Sequence, residues 1–341
     1  MRGAARGAVR GRVPLVAGLV GALAVACLLS IGFGALSVPP DQVVRTLLGD
    51  APDARVDTVI WESRVPRTAL GLAVGAALGL AGALLQALTR NPLADPGILG
   101  ISAGAAFGVV LAAGVFGLGT LGGRIWFALA GALVAGVAVY LLGRLGQSGL
   151  TPVKLALAGV AVTALLSSLT SGIVLTDPDA LNRYRFWAAG SLGGQNAGGL
   201  GLVLPLLLVG ALLALACAPS LNSLALGEDV ATSLGRRVGL VRVQGVLAVT
   251  LLTGGAVALI GPVVFVGLVV PHVARILAQR AGIGPDHRWL LPVSAALAPV
   301  LLLLADVAGR LVARPLEIQA GVLVAFVGGP SCSAATRSTR G

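Results

Sequence analysis

Residues able to do acid–base, metal or phosphate chemistry are few in this chain of 341 residues, which has 24 Lys and Arg, 13 Asp and Glu, two histidines and three cysteines. Lys154 is the only lysine, and it stands in Thr151-Pro152-Val153-Lys154 rather than at the end of a glycine-rich loop. A P-loop needs that amine on nucleotide phosphates, so ATP hydrolysis by that route is excluded. Cys27, Cys217 and Cys332 share no local spacing, and with His272 and His287 they form no readable disulfide framework or Cys/His metal site. His272 follows Pro271 at a helix end, where a structural hydrogen bond is the expected role. No acid or histidine falls in the middle of a clear apolar run, as a proton- or cation-coupled carrier would need. Asp306 comes nearest, and Arg310 four residues on gives it the spacing of a helical ion pair. The expectation is a chain with no catalytic residue, no metal and no directly bound cofactor.

The elements that carry these residues are apolar. Hydrophobic residues make up 57% of the chain and charged ones 11%, with 50 glycines and 4% aromatics, and the mean hydropathy is +0.97. An ordinary soluble domain is about one quarter charged, so a soluble globular protein is excluded. The fold class is all-α: helices apolar all round that pack through small residues in a bilayer. Uncharged runs at 13–40, 68–89, 96–123, 125–143, 155–176, 200–218 and 289–305 are each long enough to cross. The run 243–274 is too long for one crossing, and Gly261-Pro262 at its middle divides it into two shorter helices. Residues 318–330 open a last, short one, giving about ten crossings.

Charge sets the orientation. With the N-terminus in the cytoplasm, 15 of the 24 basic residues fall on inner segments, against four of the 13 acids, so the whole net charge of +11 lies inside. A basic excess spread between apolar runs points to a membrane rather than to nucleic acid. The expected organisation is a basic cytoplasmic N-terminus at 1–12, a membrane domain at 13–330 and a polar tail at 331–341, with both termini cytoplasmic. Gly71, Gly75 and Gly79, and again Gly100, Gly104 and Gly108, recur every four residues and predict helix faces that a neighbour approaches closely.

Four stretches carry a resemblance. They are Arg64-Val-Pro-Arg67 with Gly82-Ala-Leu-Leu-Gln86 and Asn91-Pro-Leu-Ala-Asp-Pro-Gly97, then Phe186-Trp187-Ala-Ala-Gly190-Ser-Leu192, then Leu226-Gly-Glu228-Asp-Val-Ala-Thr-Ser-Leu234-Gly235, and finally Gly261-Pro-Val-Val-Phe265 through Pro271-His272 and Asp286-His287-Arg288 to the segment 306–321. Over residues 40–330, in order, the chain resembles the permeases of the iron-siderophore, haem and cobalamin ABC importer family. That resemblance implies a ten-helix subunit of the bacterial cytoplasmic membrane. It implies pairing with a second copy or a paralogue, two separate ATPase subunits that use the ATP, and an extracytoplasmic binding protein that delivers cargo. Iron-siderophore complexes are the expected cargo, with haem and cobalamin as the alternatives.

Residue by residue, 223–237 resembles the segment that holds the ATPase-coupling helix, with Gly227, Glu228, Asp229, Ala231, Leu234 and Gly235 as its motif. Glu228 and Asp229 suit a helix start, while Val230, Ala231 and Leu234 offer an apolar face to a groove. Arg64, Arg67 and Arg310 resemble outward arginines that pair with acids of the binding protein. Thr151, Pro152 and Val153 correspond loosely to an inner gate. Two positions depart from the pattern: Gln319 stands where proline is expected, and the tail after Gly328-Gly-Pro330 turns polar, read here as altered, as by a shifted reading frame. A carrier or channel working without an ATPase is the competing class, and a non-transporting remnant with a damaged tail is a third.

Overall fold

In the computed structural model, residues 2–50, 53–118, 120–145, 151–176, 178–193, 197–313 and 316–326 are described. Cys332 and the tail expected to be atypical lie outside the described residues. The chain is all-helical: α1 (Arg2–Gly32), α2 (Pro40–Leu47), α3 (Ala54–Thr58), α4 (Val65–Thr89), α5 (Ile101–Val110), α6 (Leu121–Arg144), α7 (Pro152–Thr176), α8 (Pro178–Ala188), α9 (Leu200–Ala225), α10 (Glu228–Ser233), α11 (Val238–Ile260), α12 (Val266–Arg280) and α13 (His287–Val312). Residues 320–326 open a further helix. Among the described residues, seven helices are long and apolar enough to cross a membrane, and the shorter apolar helix Ile101–Val115 lies beside them. With α12 and the helix opening at 320, that agrees with about ten crossings. Residues 2–12 are helical and continuous with the rest of α1, which runs through Pro14.

Three helices form the centre. In the apolar windows that include α4 and that lie in α11, 78% of residues are buried, and in α13 61%; α1, with 17%, packs at the edge. Glycine explains how closely the central helices meet. A Cβ on Gly75 would stand 2.5 Å from Pro299 Cα, and one on Gly79 would strike the Ser294 carbonyl, so α4 and α13 touch backbone to backbone. Gly104 and Gly108 similarly meet Gly131 and Phe127 of α6. Gly100 does not belong to that face. It caps α5 at φ 69°, a left-handed conformation that disfavours residues with a Cβ.

The break predicted at Gly261-Pro262 is present. Helix α11 stops at Ile260, Gly261 turns at φ 81°, and α12 starts after Phe265. The connector between α8 and α9 fills the break: Ser191 donates to the Ile260 carbonyl at 2.9 Å, and Gly321 donates to the Gly190 carbonyl at 3.0 Å. Two of the motif stretches thereby meet at one end of the bundle.

Candidate functional site

At that end, expected to face outward, stands a cluster of arginines. Pro66 lacks an N–H for the Glu62 carbonyl one turn back, and the chain answers with a π-turn over Val59–Arg64 just before α4. Arg64 leaves this turn toward α1, donating from Nη1 to the Ile31 and Gly32 carbonyls, each at 2.8 Å, and from Nη2 to Leu36 at 2.7 Å. Arg310 donates to the Ser30 and Phe33 carbonyls at 3.1 and 2.8 Å. A helix ends with carbonyls that have no partner within it, and the helix dipole makes that end negative. Two guanidiniums satisfy both needs for α1.

Asp306 joins the cluster together. Arg67 grips it with Nη2 to Oδ1 at 2.7 Å and Nε to Oδ2 at 3.0 Å, while Arg310 Nη2 meets Oδ2 at 2.9 Å. Arg67 also reaches Glu317 at 2.8 Å. The Asp306–Arg310 pair expected from spacing is therefore real, but its main fork comes from Arg67 on α4. Docking arginines that face outward are not what this geometry presents, since Arg64, Arg67 and Arg310 are only 3%, 8% and 2% exposed.

At the opposite end, the chain crosses from α9 to α11 through α10. Gly227 (φ 117°) and Gly235 (φ 76°) bracket a helix of six residues. The face predicted for it is drawn differently in the fold. Ala231 is fully buried, whereas Leu226, Val230 and Leu234 are 68%, 41% and 60% exposed. Val230 and its C-cap neighbour Leu234 are one turn apart on α10, while Leu226 precedes the break at Gly227 and caps α9. Glu228 is not left to the helix dipole: its carboxylate bonds Arg242 of α11 and lies 3.6 Å from Arg90 at the end of α4.

Beside this segment, Thr151 accepts from the Lys154 amide at 3.3 Å and so caps α7. Pro152 is the first residue of α7 and its side chain lies outside those described, while Val153 is 67% exposed. Val153 lines a cavity of about 270 Å³ with Thr89, Asn91 and Leu157, and Thr151 lines an adjoining cleft with Leu88, Thr89 and Arg242. The start of α13 is fastened to the same end. Asn222 of α9 donates to Asp286 at 2.6 Å and accepts from the His287 amide at 2.9 Å. Burial opposes ionisation of Asp286, but the Arg288 amide, the Asn222 amide and the neighbouring positive charges outweigh it and hold the carboxyl below its ordinary range. Among the described residues, no three His, Cys, Asp or Glu side chains gather as metal ligands.

A multi-pass helical bundle with an ion-paired cluster at one end and a short surface helix at the other has the form of a membrane permease. Residues 22–333 match the FecCD transport family. The chain is 48% identical over 320 residues to the ferric enterobactin transport system permease protein FepD of Escherichia coli, covering 94% of this chain and 93% of that one. It is 40% identical to the iron(3+)-hydroxamate import system permease protein FhuB of Bacillus subtilis, covering 93% of this chain and 81% of that one. A solved structure, described as an inward-facing metal-chelate type ABC transporter, superposes with a TM-score of 0.81 at 28% identity over 95% of this chain and 98% of the other. The chain belongs to the FecCD transport family, as a permease subunit of an ABC importer.

Proposed function

We propose that this chain is the membrane subunit of an importer for ferric siderophores, driven by separate ATPase subunits bound at the α10 end and supplied by a binding protein at the Arg67–Asp306 end. The observation that carries this reading is that Val230 and Leu234 of the short helix between two spans, and Leu226 just before it, are exposed apolar side chains. Three apolar side chains held out from an otherwise polar connection suit insertion into a groove on a partner. Ferric enterobactin is the first cargo to test, because FepD is named for it and nearly half its sequence is shared. The cargo arrives chelated, so the path need supply no iron ligand.

At the other end, the arginine cluster is the proposed docking point for an acidic patch of the binding protein, which would set register and association rate. Direct pairing with Arg64, Arg67 or Arg310 requires a partner carboxylate to take over bonds now made inside the chain. Thr151, Pro152 and Val153 are proposed as the inner gate because Thr151 lines the cleft that Arg242 also lines and Val153 lines the adjoining cavity. The reading also includes pairing with a second permease copy or a paralogue, and cytoplasmic termini. The test is uptake of radiolabelled ferric enterobactin into vesicles holding this chain with the ATPase and binding protein encoded beside it. Uptake that needs ATP and the ATPase is expected, and uptake should fall when Leu226, Val230 and Leu234 are changed to Asp together. Absence of uptake by well-inserted native protein, with haem and cobalamin tried in turn, overturns the reading.

A further inference from the structure

We propose that Glu228 is the inner half of a clasp, with Arg242 and Arg90, that makes the cleft beside Thr151 follow the motion of α10. This inference rests on the importer reading and assigns Glu228 a role different from direct contact with the ATPase. Its carboxylate bonds the Arg242 guanidinium and lies 3.6 Å from that of Arg90, so one acid on α10 holds the start of α11 and the end of α4. Both of those helices wall the cleft. Arg242 itself lines it together with Thr151 and with Thr89 of α4. Arg90, the last link of α4, is held at φ 50°, a conformation uncommon for a residue with a side chain, and leads directly to Asn91 on the wall of the larger cavity.

The path is short and made of paired groups: α10, Glu228, Arg242, cleft. The side chain of Glu228 is 47% exposed and that of Arg242 20% exposed. Partly solvated pairs add little to folding, so the clasp serves positioning rather than stability. Removing it should leave the bundle folded and the ATPase bound while separating hydrolysis from transport. A contact between Glu228 and the ATPase makes the opposite forecast, loss of ATPase binding that no change at Arg242 repairs.

The experiment measures ferric enterobactin uptake, ATP hydrolysis and ATPase co-purification for the complete reconstituted importer. The variants are Glu228→Gln, Arg242→Gln, Glu228→Arg and the reversed pair Glu228→Arg with Arg242→Glu. For the single variants, uptake per ATP hydrolysed is expected to fall by about fivefold or more, the usual lower range of coupling between sites, with the ATPase still captured. The reversed pair should regain uptake above Glu228→Arg alone. Native ratios in both Gln variants overturn the clasp, and so does loss of ATPase capture in Glu228→Arg that the reversed pair leaves unrepaired. No ATP-dependent uptake by the native protein overturns the importer reading and the clasp with it.

Discussion

Two ion pairs of equal length show that surroundings decide what a residue contributes. Arg45–Asp50 and Arg67–Asp306 both close at 2.7 Å, but the first pair is 54% and 71% exposed and the second 9% and 1%. Water already solvates Asp50, so Asp50→Asn should leave the thermal midpoint in detergent essentially unchanged, a loss below about 0.5 kcal/mol. Asp306→Asn removes the charge that Arg67 and Arg310 share inside the bundle. Breaking such a buried pair costs about 3–5 kcal/mol, and the expected result is a sharply lowered midpoint and poor recovery of monodisperse protein. A midpoint equal to that of the native protein would show that Glu317 and carbonyls alone can satisfy both arginines. Only the local part of this cluster could be read from the sequence. Arg310 lies one turn from Asp306, but Arg67 is separated from Asp306 by 239 residues, and the carbonyls that hold Arg64 belong to Ile31, Gly32 and Leu36, whose side chains say nothing of an arginine. The resemblance singled out three arginines without indicating that they turn inward.

Among the elements, the glycine repeat and the proline break were legible because both act through backbone sterics at fixed spacing. Helix α10 was less so: six residues are too few for periodicity to choose a face, and the buried position is Ala231 rather than a larger apolar neighbour. The helix contacts can be tested by comparing two glycines. Gly75→Val places atoms where the Pro299 backbone stands, so α4 and α13 must separate, at a cost of about 1–3 kcal/mol or more. Gly172, on α7, has nothing within 4 Å of a Cβ, and Gly172→Ala should stabilise by up to about 1 kcal/mol through helix propensity. Thermal melts of the two in one detergent check this, and similar losses would remove the close-approach argument. The junction of α9 and α13 adds a pH effect. Because the folded carboxyl of Asp286 lies below its unfolded value of about 3.9, its charge contributes stability that is complete above that value and is lost as pH falls through the lower folded one. Asn at this position still caps α13 but cannot ionise. The native advantage over Asp286→Asn should therefore be constant above about pH 5 and shrink below about pH 4, followed as the difference in midpoint across that range.

For the whole molecule, the two ends carry different charge and so different expected compartments. Helix α4 runs from Arg67 at one end to Arg90 at the other, while α11 and α13 run back, from Arg242 to Ile260 and from Asp286 to Arg310. The basic inner segments among the described residues lie with α10, and the π-turn with Glu62 lies opposite. The positive-inside bias then puts Leu226 in the cytoplasm and Ser63 outside. Both positions are exposed, so a single cysteine placed at either, in a chain freed of Cys27, Cys217 and Cys332, can be labelled without disturbing the packing. A membrane-impermeant maleimide should label Ser63→Cys in right-side-out vesicles and Leu226→Cys only in inverted ones. The reverse pattern would place α10 beyond reach of any cytoplasmic ATPase, and labelling of both from one side would contradict the antiparallel course of α4 and α11. The expected pattern leaves α10 where ATP is available and the arginine cluster where chelated cargo arrives, as vectorial import through this bundle requires.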